Sequence, residues 1–386
     1  MKRILTGLAA ATVGLAMLAG CSGGAGQAQA PAGDTIKIGV NFELSGDVAT
    51  YGEANVQGIE MAAEEINQAG GIDGKQIELV KYDTKSDAAE ATTLATKLMT
   101  QDKVITVIGP ATSGGMKATI PVAEQNKIPV VSGSATADDV TVDATGVKQF
   151  AFRTCFNDSF QGTAAANYAV KKFDAKKAVI LRDSSSDYSK GLADAFRTTF
   201  TEAGGEIVSE DAYAKGADNF NAVMTKFKGQ QFDVIYLPGY YTEAGKAIKQ
   251  ARDLGVTQPI LGGDGFDSPV LGEQAGAQLK DVYFTNHYSS EDQDPKVQEF
   301  ITAFKAKHNT DPNAFNALGY DTLKFVADGV ARASEKTGEG VQKALAETKD
   351  FAGVTGTFSV DENHNPVKAV VFIGYKDGEV AVTEKA

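Results

Sequence analysis

The sequence predicts an α/β protein built as two units, each a parallel sheet covered by helices. Three observations carry that prediction. Apolar, β-branched runs alternate with segments of helical period along almost the whole chain, the pattern that a parallel sheet with helical crossovers requires. The pattern restarts after residue 154 and continues through a second α/β stretch of similar size. Roughly 350 of the 386 residues follow the N-terminal segment, more than one hydrophobic core ordinarily serves.

Met1, Lys2 and Arg3 form a basic start to an apolar run over residues 4–17, which is too short and too soon interrupted for a stable bilayer anchor. The LAGC that follows, ending at Cys21, resembles the lipobox of bacterial lipoproteins, in which cleavage leaves the cysteine lipidated. Residues 1–20 are therefore expected to be a signal peptide, and Cys21 the lipid-bearing N-terminus. Residues 21–34 are small, polar and aperiodic and suit a flexible tether, with folding from Thr35. The formal charge of −13 becomes −15 once Lys2 and Arg3 are lost, and no face gathers Lys and Arg, which argues against a nucleic-acid partner. Cys155 is then the one remaining thiol, so no disulfide or cysteine-based metal site can form; its setting, FAFRTCF, reads as a buried small hydrophobe.

In order, TIKIGVNFELSG gives a strand over residues 36–42, and Ala54, Ile59, Ala62, Ala63 and Ile66 recur at helical spacing up to Gly70 and Gly71. A turn at Asp73 and Gly74 returns the chain as a second strand in IDGKQIELVKYDT, and a helix follows over 87–100. After 149–154 come a helix over 159–173, the strand KKAVILRD and a helix over 188–203. Strands then recur at 206–213, 232–238, 259–263 and 281–286, with helices at 219–228 and 241–254, and two more helices at 295–308 and 313–333. The C-terminus carries β-rich runs separated by NHNP and DG turns, hence an antiparallel hairpin that returns to a unit already begun.

The stretch over 104–136 is the centre of this organisation. VITVIGP and IPVVSGS read as parallel strands, each followed by small hydroxyl-bearing residues, and ligands gather at the carboxyl ends of such strands. Those ends carry Ser113, Ser134 and Thr136. Ser113 sits at an expected helix N-cap, where the amides of Gly114 and Gly115 could meet an anion; capping alone would also account for it. Asp264, in GGDG, reads either as a turn residue or as the acceptor for a cationic group.

IKIGVNFELSGDVATYGEANVQGIEMAAEEINQAGGIDGKQIELVKYD, VIGPATSG, VSGSAT, SFQG, DYSKGLADAFR, LPGYYTEAGKAIKQAR and GGDGFDS, in that order, resemble the branched-chain amino-acid binding proteins of ABC importers over nearly the whole mature chain. The resemblance implies a type I periplasmic-binding fold: two doubly wound lobes, 35–154 with 287–353 and 155–286 with 354–386, joined by a three-crossing hinge near 154–157, 285–287 and 353–355. It places the ligand's ammonium on Asp264 and its carboxylate on Ser113 and Thr136, beside Ala111, Thr112, Ser134 and Ala135. Tyr51, Tyr188 and one of Tyr240 and Tyr241, with Tyr240 chosen here, enter the cleft, and Ala111, Phe42 and Tyr51 give apolar walls for an aliphatic side chain. Two departures stand out. The disulfide that some relatives carry beside the VIGPATSG loop is absent, and Asp264 stands where relatives have Glu.

No enzyme is expected, and no catalytic residue, metal or cofactor. ATSGG lacks the first glycine of a nucleophile elbow, and GGDGFDS is a near miss to a dinucleotide fingerprint that comes too late in the chain. His287, His308 and His364 are scattered among charged and turn residues and are read as solvated. The expected partners are a small zwitterionic amino acid (Leu, Ile or Val), an ABC permease with its ATPase subunits, and a membrane reached only through the lipid; the protein is expected to be an extracytoplasmic monomer. The alternative is a sensor of a small amide or other amino acid that reports to a separate receptor. No transmembrane or kinase segment follows TEKA, which favours capture and delivery.

Overall fold

The computed structural model describes residues 35–385. The expected signal peptide, Cys21 and the expected tether lie outside the described residues. The first half runs β1 (Ile36–Phe42), α1 (Ala49–Gln68), β2 (Ile77–Asp83), α2 (Ala88–Lys97), β3 (Thr106–Ile108), α3 (Ser113–Asn126), β4 (Val130–Ser132), β5 (Val142–Asp143), β6 (Gly146–Val147) and β7 (Ala151–Arg153). There follow α4 (Asp158–Phe173), β8 (Lys177–Asp183), α5 (Asp187–Glu202), β9 (Glu206–Tyr213), α6 (Asn221–Lys228), β10 (Val234–Tyr236), α7 (Tyr241–Asp253), β11 (Ile260–Gly262), α8 (Pro269–Ala275) and β12 (Val282–Asn286). The chain ends with α9 (Pro295–His308), α10 (Ala314–Arg332), α11 (Gly338–Ala346), β13 (Phe351–Gly353), β14 (Gly356–Phe358), β15 (Val371–Lys376) and β16 (Glu379–Lys385).

The first sheet has the order β2-β1-β3-β4-β7, with every neighbouring pair parallel. β1 is buried on both faces, as a central strand under helices must be, which is why IKIGVNF reads as a nearly continuous apolar run. The second sheet has the order β16-β15-β12-β11-β10-β8-β9; its strands are parallel from β12 to β9, and β15 and β16 add an antiparallel edge. The hairpin between β15 and β16 turns at Asp377 and Gly378, both at positive φ (52° and 86°), the backbone that a two-residue Asp-Gly turn supplies.

The chain passes from the first sheet to the second after β7, returns with α9 to α11 after β12, and ends on the second sheet. α10 lies along α1, and their backbones meet at glycines: a β-carbon on Gly58 would collide with the Asn316 carbonyl, and one on Gly319 with the Asn55 carbonyl. A buried polar clasp gathers two of the passages, the one after β7 and the last. The Lys368 Nζ donates to the Thr154 carbonyl (3.0 Å) and to the Thr355 hydroxyl, while Asp321 accepts the amides of Val354 and Thr355 (2.7 Å each) and the Thr355 hydroxyl (2.6 Å).

Several expectations are corrected. α8 and the small β5–β6 and β13–β14 hairpins went unread because each is too short to show a period, and α11 went unread although Val341, Ala344 and Leu345 recur at helical spacing. Ser113 is not the cap of α3: Thr112 is, its hydroxyl accepting the Gly115 amide at 3.2 Å. Phe42 belongs to the core beneath Gly109 instead of forming a cleft wall. The histidines are not solvated. His364 is buried and stacked on Phe152 (4.1 Å between centroids), with Nδ1 against the Lys148 and Ala151 carbonyls, His308 is half-buried against Phe304, and His287 is buried.

The glycine contact between α1 and α10 yields a direct test. Gly58→Ala forces the helices apart and should destabilise the fold by roughly 1–3 kcal/mol, read as a lowered urea midpoint with an unchanged slope.

Candidate ligand-binding cleft

The loops at the carboxyl ends of the strands carry the candidate residues. Tyr51, Ala111, Thr112, Ser113, Ser134, Tyr188, Tyr240, Asp264, Gly265 and Phe315 together line one cavity of about 10 Å³, drawn from both sheets. Eight of the ten sequence-predicted residues are in that lining. Ala135 and Thr136 are not; both are buried in the next turn of the same loop, with the Thr136 hydroxyl beside the fully buried Asp158 carboxyl. Of the tyrosine pair, Tyr240 lines the cavity, while Tyr241 donates to the Asp47 carbonyl (3.1 Å).

On the first-sheet side, two buried charges of opposite sign fix the loops. The Glu43 carboxylate takes the amides of Ala111 (2.9 Å) and Thr112 (3.1 Å) and the Thr112 hydroxyl (2.8 Å). The Arg153 guanidinium, fully buried, donates through Nη1 to the carbonyls of Ala135 (3.2 Å), Thr136 (2.8 Å) and Ala137 (2.8 Å), and through Nε to the Asn365 side chain (2.7 Å). The Ser134 hydroxyl donates to the Ala111 carbonyl (3.0 Å), tying the two loops together. Ser113 Oγ accepts the Ala137 amide (3.1 Å), which leaves its proton to give. Because the Thr112 cap takes the Gly115 amide, the open end of α3 consists of the amides of Ser113 and Gly114, at the positive pole of a 14-residue helix.

Across the cavity stands Asp264, 3% exposed, in the loop after β11. Its Oδ1 accepts the Tyr188 hydroxyl (2.8 Å) and its Oδ2 faces His287 Nε2 (2.9 Å). The loop itself is braced: the Asp264 amide donates to Gln161 Oε1 (2.8 Å) and the Gly265 amide to the Tyr188 oxygen (2.9 Å). Burial, and then the charge of Asp264, push the Tyr188 hydroxyl well above the usual tyrosine range, so it stays a neutral donor. Between the two poles lies an aromatic wall. Tyr51 stacks on Phe315 (4.3 Å) and meets Tyr240 edge-on (5.7 Å), and Tyr240 stacks on Tyr188 (5.2 Å).

The two sides also touch directly. The Tyr51 hydroxyl donates to the Gly265 carbonyl (2.5 Å), the Thr50 and Ser268 hydroxyls pair (3.1 Å), and Lys117 bridges to Asp187 (2.7 Å). Sequence reasoning missed Phe315, Glu43, Arg153, Gln161, Asp158 and His287. For Arg153 a signal existed, a lone arginine in the apolar run FAFRTCF; Phe315 lies far along the chain in a helix that read simply as amphipathic. The described residues hold no cluster of His, Cys, Asp and Glu able to bind a metal ion, and no helix among them is long and apolar enough to cross a membrane.

A family profile described as periplasmic binding protein matches residues 35–379. A leucine-, isoleucine-, valine-, threonine- and alanine-binding protein of Pseudomonas aeruginosa is 32% identical over 86% of this chain and 87% of its own length. Among solved structures, the branched-chain amino acid transporter substrate-binding protein LivJ of Streptococcus pneumoniae, in complex with isoleucine, is 43% identical with a TM-score of 0.87, covering 92% of this chain and 99% of that one. A leucine-binding protein LivK of Thermotoga maritima is 35% identical with a TM-score of 0.86, covering 91% and 98%.

Arg153 supports the loop that carries Ser134 and Thr136, and its loss strands three carbonyls. Arg153→Met should lower unfolding free energy by on the order of 3–5 kcal/mol in chemical denaturation, and Arg153→Lys, a point charge without the planar fork, should recover only part of it.

Proposed function

This chain belongs to the periplasmic binding protein family, and from that premise we propose that it captures a branched-chain amino acid outside the cytoplasm and delivers it to the permease of an ABC importer. One observation carries the reading. A buried carboxylate, Asp264, and the open N-terminal end of α3 face each other across an aromatic wall, the arrangement an α-amino acid with an aliphatic side chain would need. The ligand's carboxylate meets the Ser113 hydroxyl and the Ser113 and Gly114 amides; its ammonium meets Asp264; its side chain lies among Tyr51, Tyr188, Tyr240 and Phe315. Likeness to the isoleucine-bound Streptococcus pneumoniae protein and to the leucine-binding proteins supports Leu, Ile or Val as the ligand.

The two poles belong to different sheets, so only a closed cleft serves both charges, and a cavity of about 10 Å³ must open to admit an amino acid. We assign the lobes as residues 35–154 with 287–353 and 155–286 with 354–386, which turn about three passages, two of them, at Thr154 and at Val354–Thr355, held by Lys368 and Asp321. Cys21 carries the lipid, residues 21–34 are the tether, and the protein works as a single copy that meets the permease and, through it, the ATPase subunits.

Isothermal calorimetry of the purified protein against leucine, isoleucine and valine tests the reading. Asp264→Ala leaves the ammonium uncompensated in a desolvated cleft and should weaken binding by roughly 3–5 kcal/mol. Affinity within threefold of the unaltered protein would remove Asp264 from the site.

A further inference from the structure

Resting on the assignment of Asp264 to the ligand's ammonium group, we infer that His287 is a positioning residue for binding: its Nε2–H holds the Asp264 carboxylate in place without cancelling the negative charge that the ammonium must meet. His287 is the first residue after β12, on one of the chain's passages between the sheets. Its ring is 3% exposed, stacks on Phe156 at 3.7 Å, and sets Nε2 2.9 Å from Asp264 Oδ2. Its amide donates to the Asn286 side chain (2.9 Å), and among the described residues Nδ1 has no partner. Since Asp264 can only accept here, the proton of the neutral ring sits on Nε2.

Asp264 accepts from Tyr188 and His287, and each orients one oxygen while contributing no net charge. A lysine or arginine at 287 would orient the same oxygen but neutralise it, and the ammonium would lose its partner. The groups around the ring keep it uncharged. Burial drives the imidazole below its usual range against the pull of the Asp264 hydrogen bond, and the buried Lys368 ammonium opposes a second positive charge. From α4, Phe156's loop and β10, the neighbours of Asp264 are the Asp158 carboxyl, which burial pushes upward, the Cys155 thiol, pushed up to about 12, and the neutral Tyr236 hydroxyl.

A second proton on His287 would form an internal ion pair with Asp264 and so compete with the ligand's ammonium. The sign follows. The ring of the folded protein titrates below the ordinary value of about 6.5, so affinity is constant at and above that pH and falls only as pH drops through the ring's own lower value, with protons released on binding there.

The experiment is calorimetry with leucine between pH 7.5 and 5 on the unaltered protein, His287→Gln, His287→Leu and Asp264→Asn, with the ligand-free melting temperature of each recorded. Gln keeps a neutral donor near Nε2 but cannot titrate. It should bind within a few-fold of the unaltered protein at pH 7.5 and lose the acid decline; Leu should bind at least about tenfold more weakly, with a flat profile. Nitrogen chemical shifts of the free protein's imidazole should show the Nε2–H tautomer at pH 7.5, a readout that needs neither ligand nor a stable variant. Undiminished binding by His287→Leu, an acid decline retained by His287→Gln, or the Nδ1–H tautomer would each overturn the role of His287. Undiminished binding by Asp264→Asn would instead overturn the assignment of Asp264 on which it rests.

Discussion

A carboxylate kept out of water with only neutral hydrogen-bond partners is the constraint on which the rest of this structure depends. Asp264 is 3% exposed, and among the described residues the groups bonded to its side chain are a phenol and an imidazole. A buried charge without a counter-charge is costly in a low-dielectric interior, and it persists only where the surrounding fold holds it. The fold does so by bracing the backbone on either side. Gln161 takes the Asp264 amide, Tyr188 takes the next one, and Tyr51 reaches over from the other side to donate to the Gly265 carbonyl.

The first-sheet side solves the opposite problem with the same means. Donors aimed at an anion must be left over after the loops have satisfied themselves, and there Glu43 and Arg153 do the satisfying. Glu43 consumes the amides of Ala111 and Thr112, and Arg153 consumes three successive carbonyls after Ser134. What stays uncommitted is the pair of amides of Ser113 and Gly114 and the Ser113 hydroxyl proton. Beside VIGPATSG, where no cysteine stands, two buried charged side chains brace the loops through these hydrogen bonds.

How much of this could be read from the sequence depended on range. β1 at 36–42 and β9 at 206–213 were legible to the residue because each is a long run bounded by a clear turn. Eight cavity residues were found because their strings sit at strand ends and match a family pattern in order. What failed were judgements that depend on residues far apart in the chain. His287, within NHYSSED, looks like a polar turn, yet β11 and β12 are parallel neighbours with Gly262 paired to Phe284, so the residues just beyond each strand emerge side by side. That register sets His287 against Asp264 although 23 residues separate them. The Thr112 cap was missed by one position for a different reason: Thr112 and Ser113 are both good caps, and Glu43, 69 residues upstream, decides between them by fixing the Thr112 hydroxyl.

The same wiring explains why charge and motion are one problem in this fold. The Gly265 carbonyl that Tyr51 grips belongs to the residue next to Asp264, and His287, which orients Asp264, begins the segment through which the chain crosses back to the first sheet. Any rotation of one sheet against the other pulls on both supports of the carboxylate at once. An ammonium group that bonds Asp264 therefore stabilises the geometry in which Tyr51 and the opened end of α3 are also in reach. A ligand with only a carboxylate would engage α3 and leave Asp264 buried and uncompensated, and one with only an ammonium would leave the helix end unmet. On the proposed assignment of the two poles, selectivity for a zwitterion would follow from closure itself, because a differential interaction with the closed state is the only lever a ligand has on that equilibrium.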